Sequence, residues 1–372
     1  MIDFAALAVP GVQALRPYEP GKPVEALERE LGIREALKLA SNENPLGPSP
    51  RALEALRGAL GNLHIYPDGN CFALKQALAE RHGVASAQIT LGNGSNEILE
   101  LVARTWLAPG RNAVFSRHAF AVYPLVVQAV SAEGRAAPAL PETAGQPFGH
   151  DLAAMAAQVD ADTRVVFVAN PNNPTGTWLE TGALEPFVAR MPEETLVVID
   201  EAYAEYVEAA GYPDATQWIE RYPNVIVTRT FSKIHGLAGL RLGYSVSSAP
   251  VAELLNRVRQ PFNVNSLAQA AGVAALADSG HVQESVRVNR EGLRQVADGL
   301  TARGLAFIPS VGNFITFDVR RPPGPVYEAL LRQGVIVRPV ANYGLPTHLR
   351  VTIAREAENE RFLLALDRVL AS

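Results

Sequence analysis

Lys233 stands in the stretch Thr228-Arg229-Thr230-Phe231-Ser232-Lys233-Ile234-His235-Gly236, directly after the apolar run Val225-Ile226-Val227. The chain has only four lysines, Lys22, Lys38, Lys75 and Lys233, so 29 of its 33 basic residues are arginines. Guanidinium supplies nearly all the positive charge, and charge alone does not account for a lysine at this place. An amine can lose its proton and attack a carbonyl to form a Schiff base, whereas a guanidinium stays protonated. The plain alternative is a solvated loop lysine. Its neighbours in the fold have to decide between the two.

Other polar residues fall at comparable places, where apolar runs end. Gly92-Asn93-Gly94-Ser95-Asn96 follows Gln88–Leu91 and opens a helical pattern, so its free backbone N–H groups suit a phosphate. Glycine turns with Ser or Asn caps also open helices for structural reasons alone. The position of a third glycine in a dinucleotide fingerprint is Glu97, which argues against a nicotinamide dehydrogenase. Ser232 and Arg241 can complete an anion cup, Arg241 by a bidentate guanidinium, or else as a surface ion pair.

Asp200 ends the run Leu196-Val197-Val198-Ile199, where an unpartnered carboxylate would be costly. A helix cap, an ion pair or a protonated ring nitrogen would each serve as its partner. Tyr203 and Asn170 can both hydrogen-bond a phenolic oxygen on such a ring, or be ordinary packed and turn residues. A phosphate, a phenolic oxygen, a pyridine nitrogen and an aldehyde for Lys233 together describe pyridoxal phosphate.

The elements that must position these groups form a rhythm. From residue 85 to 250 short apolar runs alternate with amphipathic segments, the pattern of crossover units and a mainly parallel sheet. Strands are expected at 88–91, 112–115, 164–169, 195–200, 224–227 and 243–246. In such a sheet ligands bind outside the carboxyl ends of the strands. Before it, Leu15-Arg16-Pro17-Tyr18-Glu19-Pro20-Gly21-Lys22-Pro23 reads as an irregular arm, and helices are expected at 24–31 and from Pro50 to about Gly58. After Pro250 the texture turns to long helical patterns and then to short strands at 314–319, 335–338 and 349–353. The expected units are an N-terminal arm, 1–40, a large cofactor-binding domain, 41–250, and a small C-terminal domain, 251–372.

Composition excludes other classes. With 48% hydrophobic and 19% charged residues, 372 residues suffice for a packed core without staples, and a net charge of -5 offers no basic face for nucleic acid. One cysteine, Cys71, rules out an internal disulfide, and the seven histidines show no metal-binding spacing. No metal is expected. Met1-Ile2-Asp3-Phe4 has an acid where a signal peptide has bases, and no apolar run is long enough for a membrane span. These features read as a cytoplasmic protein without membrane or nucleic-acid partners.

The order of motifs resembles the fold-type I pyridoxal-phosphate aminotransferases, and among them the histidinol-phosphate aminotransferase family. The resemblance covers nearly the whole chain and rests on Leu15-Arg16-Pro17-Tyr18, Asn42-Glu43-Asn44-Pro45, Tyr66-Pro67-Asp68, Gly92 to Glu97, Asn170 to Gly176, Asp200-Glu201-Ala202-Tyr203, Ser232-Lys233, Gly239 to Gly243 and Leu349-Arg350. It implies an α/β fold with a mainly parallel central sheet flanked by helices and a smaller α/β C-terminal domain. Lys233 would hold the cofactor and move the substrate proton, Asp200 would meet the pyridine nitrogen, and Asn170 and Tyr203 would contact the phenolic oxygen.

By the same resemblance Tyr123 would stack on the ring, while Gly94, Ser95, Asn96, Ser232 and Arg241 would cup the phosphate. Tyr66 would reach the phosphate of a neighbouring subunit, which implies a homodimer with a shared active site. Arg350 would take the substrate carboxylate, with Tyr18, Asn44 and Arg338 contacting substrate. The implied reaction is amino transfer between L-histidinol phosphate and 2-oxoglutarate in histidine biosynthesis. An aromatic amino-acid aminotransferase and a threonine-phosphate decarboxylase are the alternatives. Two positions depart from the family's usual pattern: His118-Ala119 replaces Pro-Thr before Phe120-Ala121-Val122-Tyr123, and Asn96 replaces an aspartate.

Overall fold

Among the described residues thirteen strands, named in chain order, carry two sheets and a short pair. They are β1 (Leu37–Lys38), β2 (Ile89–Gly92), β3 (Asn112–Ser116), β4 (Glu133–Ala137), β5 (Thr163–Ala169), β6 (Leu196–Asp200), β7 (Val225–Thr230), β8 (Gly243–Ser247), β9 (Phe307–Ile308), β10 (Phe314–Asp318), β11 (Val335–Ile336), β12 (Arg338–Pro339) and β13 (His348–Thr352). The structure, a computed structural model, describes residues 2–18 and 20–371. Glu19, in the expected arm, lies outside the described residues, as does Met1.

The large sheet has the order β2-β8-β7-β6-β5-β3-β4. β8 runs antiparallel to both neighbours and the remaining pairs are parallel. Alternation along the strands divides the core into two layers. Val166, Val168, Val197, Ile199 and Val227 face one layer with Leu74, Leu78 and Phe187. Val165, Phe167, Val198 and Ile226 face the other with Ile98, Leu99 and Val102 of the helix Ser95–Trp106. Because both faces are covered, these strands read as unbroken apolar runs, which is why they are visible in the sequence. Two features are not. β4, Glu-Gly-Arg-Ala-Ala, lies at the sheet edge with four of its five residues at least partly exposed, so it lacks an apolar run. β7 continues past Val227 to Thr230 because Thr228 and Thr230 remain buried in the ladder with β8.

The second sheet is antiparallel, β12-β13-β10-β9, and it is covered by helices Ser279–Ala302, Pro323–Arg332 and Glu356–Leu370. Val296, Leu330, Phe317, Val351 and Phe362 share its core. β1 pairs in parallel with β11, so residues just before 40 belong to this second layer. The change of texture at 250 does not coincide with a change of core. Helix Ala249–Val258 buries Leu255 against the large sheet, and helix Ser266–Leu276 packs Ala268, Ala271 and Ala275 into the same sheet's other layer. An amphipathic helix looks alike on either core, so the sequence pattern alone does not report which one it covers.

Candidate active site

The carboxyl ends of β5, β6 and β7 open on one cavity, where the start of helix Ser95–Trp106 and the loop after β1 also meet. The loop after β7 is held on both sides. Its Gly236 has φ +66, and a Cβ there would lie 2.1 Å from the Gly47 carbonyl oxygen. The Asn44 amide donates to the Ile234 carbonyl at 2.7 Å and to Ser285 at 2.9 Å. Between these anchors Lys233 enters the cavity and donates to the Ser41 carbonyl at 2.9 Å. Burial, with Arg350 and Arg241 nearby and Glu43 opposing, lowers its pKa to about 7. A large fraction of this amine is therefore neutral near pH 7, as a nucleophile or proton acceptor requires.

Asp200 is 5% exposed and accepts from the Tyr123 hydroxyl at 2.8 Å and from Thr228 at 3.1 Å. Burial raises its pKa, and both hydrogen bonds and Lys233 oppose the rise. Tyr203, also lining the cavity, accepts from the Asn42 amide at 2.9 Å, and burial pushes its phenol up to about 12.

An anion cup forms opposite. Helix Ser95–Trp106 has Gly94 at its N-cap with no side-chain cap, and Ser95 and Asn96 line the cavity. Gly94 has φ +82, and a Cβ there would lie 2.5 Å from Arg241 Nη2, so only glycine lets the guanidinium approach. Arg241, itself at φ +54, donates to Ser232 Oγ at 3.4 Å.

The far wall carries Tyr18, Arg338, Arg350 and Asn173. Arg350 is buried; Nη2 donates to the Ala40 carbonyl at 2.7 Å and Nη1 to the Asn173 side-chain oxygen. Its Nε has no partner among the described residues, an orphaned buried donor beside the cavity. The Arg338 guanidinium lies 5.5 Å from the centre of the Tyr18 ring. Such a site takes an anion at each end, with a reactive amine between. The residues fit pyridoxal phosphate: Ser95, Asn96, Ser232 and Arg241 for its phosphate, Asp200 for its ring nitrogen, and Lys233 for its aldehyde.

Three expected positions differ. Tyr123 is fully buried and stacks on Phe167 at 4.8 Å, not on anything in the cavity; its hydroxyl serves Asp200, and Phe120 lines the cavity instead. Asn170 pairs both ends of its amide with the Leu179 backbone, at 3.1 and 2.9 Å, and is fully buried without lining the cavity. Asn44 is occupied with the Lys233 loop, as above, while Asn42 lines the cavity. Tyr66 is 80% exposed and stacks on Phe262 at 4.8 Å, away from this chain's own cavity. Asn173 and Phe120 were hidden in motifs with several candidates. Asn173 is the asparagine next to Pro174-Thr175-Gly176, where the chain turns back, and that turn brings it to Arg350.

The family model for aminotransferase class I and II matches residues 34–366. The chain belongs to the class I and II aminotransferases. Among similar members of this aminotransferase family, a histidinol-phosphate aminotransferase 2 of Pseudomonas aeruginosa is 62% identical over the full length of both chains. One from Methylococcus capsulatus is 56% identical over 99% of this chain and all of that one. The crystal structure of a histidinol-phosphate aminotransferase from Sinorhizobium meliloti, in complex with pyridoxal-5'-phosphate, superposes with TM-score 0.88 at 31% identity, covering 97% of each chain. The aspartate aminotransferase of Thermus thermophilus with maleate, at 22% identity and TM-score 0.82, covering 96% of this chain and 98% of that one, shares the fold. Among the described residues of this aminotransferase, no helix is long and apolar enough to cross a membrane.

Proposed function

We propose that this aminotransferase moves an amino group between L-histidinol phosphate and 2-oxoglutarate, as a cytoplasmic homodimer using pyridoxal phosphate, in histidine biosynthesis. The observation that carries it is the buried Arg350, whose Nε lacks a partner among the described residues and which lines the same cavity as Lys233 and Arg338. One guanidinium pair can accept a phosphate from one substrate and a carboxylate from the other. The close likeness to histidinol-phosphate aminotransferases over the full chain supports that choice above an aromatic amino acid or a decarboxylation.

The bound cofactor supplies an electron sink that makes the α-hydrogen of an attached amino compound acidic. The protein does the rest. Ser95, Asn96, Ser232 and Arg241 would anchor the phosphate, and Asp200, which accepts from Tyr123 and Thr228, would meet the ring nitrogen and favour a proton there. Tyr203 and Asn173 line the cavity with Lys233 and would hold the ring by hydrogen bonds. Lys233 Nζ takes the proton from the substrate α-carbon and holds it for return, acting as base and then acid. Its pKa near 7 suits both roles. Arg350 and Arg338 hold the anionic end and so aim the α-carbon at Nζ.

The exposed strip of Leu63, Ile65, Tyr66 and Phe72 supports the dimer, with Tyr66 reaching a partner's phosphate cup. The test is single-turnover absorbance of the loaded enzyme. Histidinol phosphate is expected to convert the cofactor at least 100-fold faster per molar than phenylalanine, and 2-oxoglutarate to restore it. Equal rates would refute the substrate assignment, and release of carbon dioxide would favour the decarboxylase.

A further inference from the structure

The His118 ring forms a direct tie between loops of the two sheets. It is 6% exposed, and Nδ1 lies 2.6 Å from the Tyr343 carbonyl oxygen, so Nδ1 carries the proton. Gly344, at φ +77, makes room for it: a Cβ there would lie 3.2 Å from the His118 ring. The ring also meets Phe148 edge-on at 5.6 Å. On its other side the His118 carbonyl accepts from the Asn172 amide at 3.0 Å. The loop that carries Phe120 is thereby tied to the loop that carries Asn173 and to the turn Ala341–Tyr343.

That turn matters because it follows β12 directly. Arg338 is the first residue of β12, and Tyr343 packs with Val340, Leu345 and Ile308 against Ala121 and Phe148 of the large unit. An apolar seam joins the two units here, and the His118–Tyr343 hydrogen bond lies beside it. Loss of the His118 donor would leave the Tyr343 carbonyl buried without it, and the turn would be free to shift.

We infer that His118 is a positioning residue: its bond to Tyr343 clamps the Ala341–Tyr343 turn, and with it Arg338, against the Phe120 loop for gripping the substrate's anionic end. This rests on the function proposed above. Lys233, Asp200 and the anion cup stand on the large unit and do not depend on the clamp. The clamp therefore governs substrate grip and leaves proton transfer at saturation alone.

The test compares His118→Leu with His118→Asn in the cofactor-loaded enzyme. Asn can place its amide nitrogen near the position of Nδ1, whereas Leu keeps the bulk and loses the donor. For His118→Leu, KM for both histidinol phosphate and 2-oxoglutarate should rise about tenfold, the scale of one buried hydrogen bond, with kcat within twofold and cofactor absorbance unchanged. Amide hydrogen exchange of residues 340–345 should quicken at least fivefold in His118→Leu, without substrate present. His118→Asn should restore both KM and exchange to within threefold of the wild type. Unchanged KM and unchanged exchange in His118→Leu overturn the clamp, as does a parallel loss of kcat, cofactor and melting temperature, or failure of Asn to rescue. If the wild type does not use histidinol phosphate at all, the proposed function falls, and the exchange result still decides the clamp.

Discussion

Replacing Lys233 by methionine should make the cofactor-free protein more stable, by an amount that depends on pH. Burial lowers the amine from 10.5 to about 7, which at about 1.4 kcal/mol per pH unit is a charge penalty on the order of 4–5 kcal/mol. Methionine removes the charge and leaves the Ser41 carbonyl without its donor, at a cost of about 1–2 kcal/mol. The net gain is about 3 kcal/mol at pH 6. Because the folded state holds the amine below its unfolded value, the unfolded chain binds more protons between about pH 7 and 10.5. Wild-type stability therefore rises with pH through that window, and the variant's advantage is full below pH 7 and fades toward pH 10. The assay is urea unfolding of both apoproteins at equal concentration, from pH 6 to pH 10, followed by tryptophan fluorescence. A stability difference that does not change with pH, or a variant less stable at pH 6, would refute the desolvated amine.

Tyr123→Phe removes a donor to Asp200 and should move the acidic limb of the pH–rate profile up by about one unit; an unshifted limb would deny the link. Tyr66→Ala and Lys233→Ala should each be nearly inactive, yet refolded as a mixture they should regain about a quarter of wild-type activity. That recovery needs half the dimers to be mixed and each to hold one complete site; no recovery would separate Tyr66 from the partner's cavity. Gly11→Val should free the N-terminal arm, because a Cβ at Gly11 would lie 1.8 Å from the Gln128 carbonyl oxygen. Faster exchange at residues 2–18 with an unchanged melting temperature is the expected pattern, and unaltered exchange would contradict the docked arm.

How legible the molecule is in its sequence follows from what each residue has to do. The strands covered on both faces announce themselves as apolar runs, so Asp200 and Lys233 could be placed at strand ends from the sequence alone. The edge strand Glu133–Ala137 has no such pressure and leaves no trace. Within the site, residue type identifies the amine, the acid and the anion cup. It does not tell which of several asparagines faces inward. Asn170 and Asn173 sit three apart in one turn, and only the path of the chain assigns one to the Leu179 backbone and the other to Arg350. Tyr123 and Phe120 pose the same ambiguity on one turn of loop and helix. Helices after residue 250 pose it at the scale of the core, since an amphipathic stripe does not name its partner.

Lys233 is the amine expected to bind the cofactor. Borohydride reduction of the loaded protein, followed by digestion and mass spectrometry, tests it most directly. The pyridoxyl phosphate mass should appear on the peptide that contains Lys233, in nearly one copy per chain. Labelling of Lys38 or Lys75 in its place, or no labelling after reduction, would contradict the account.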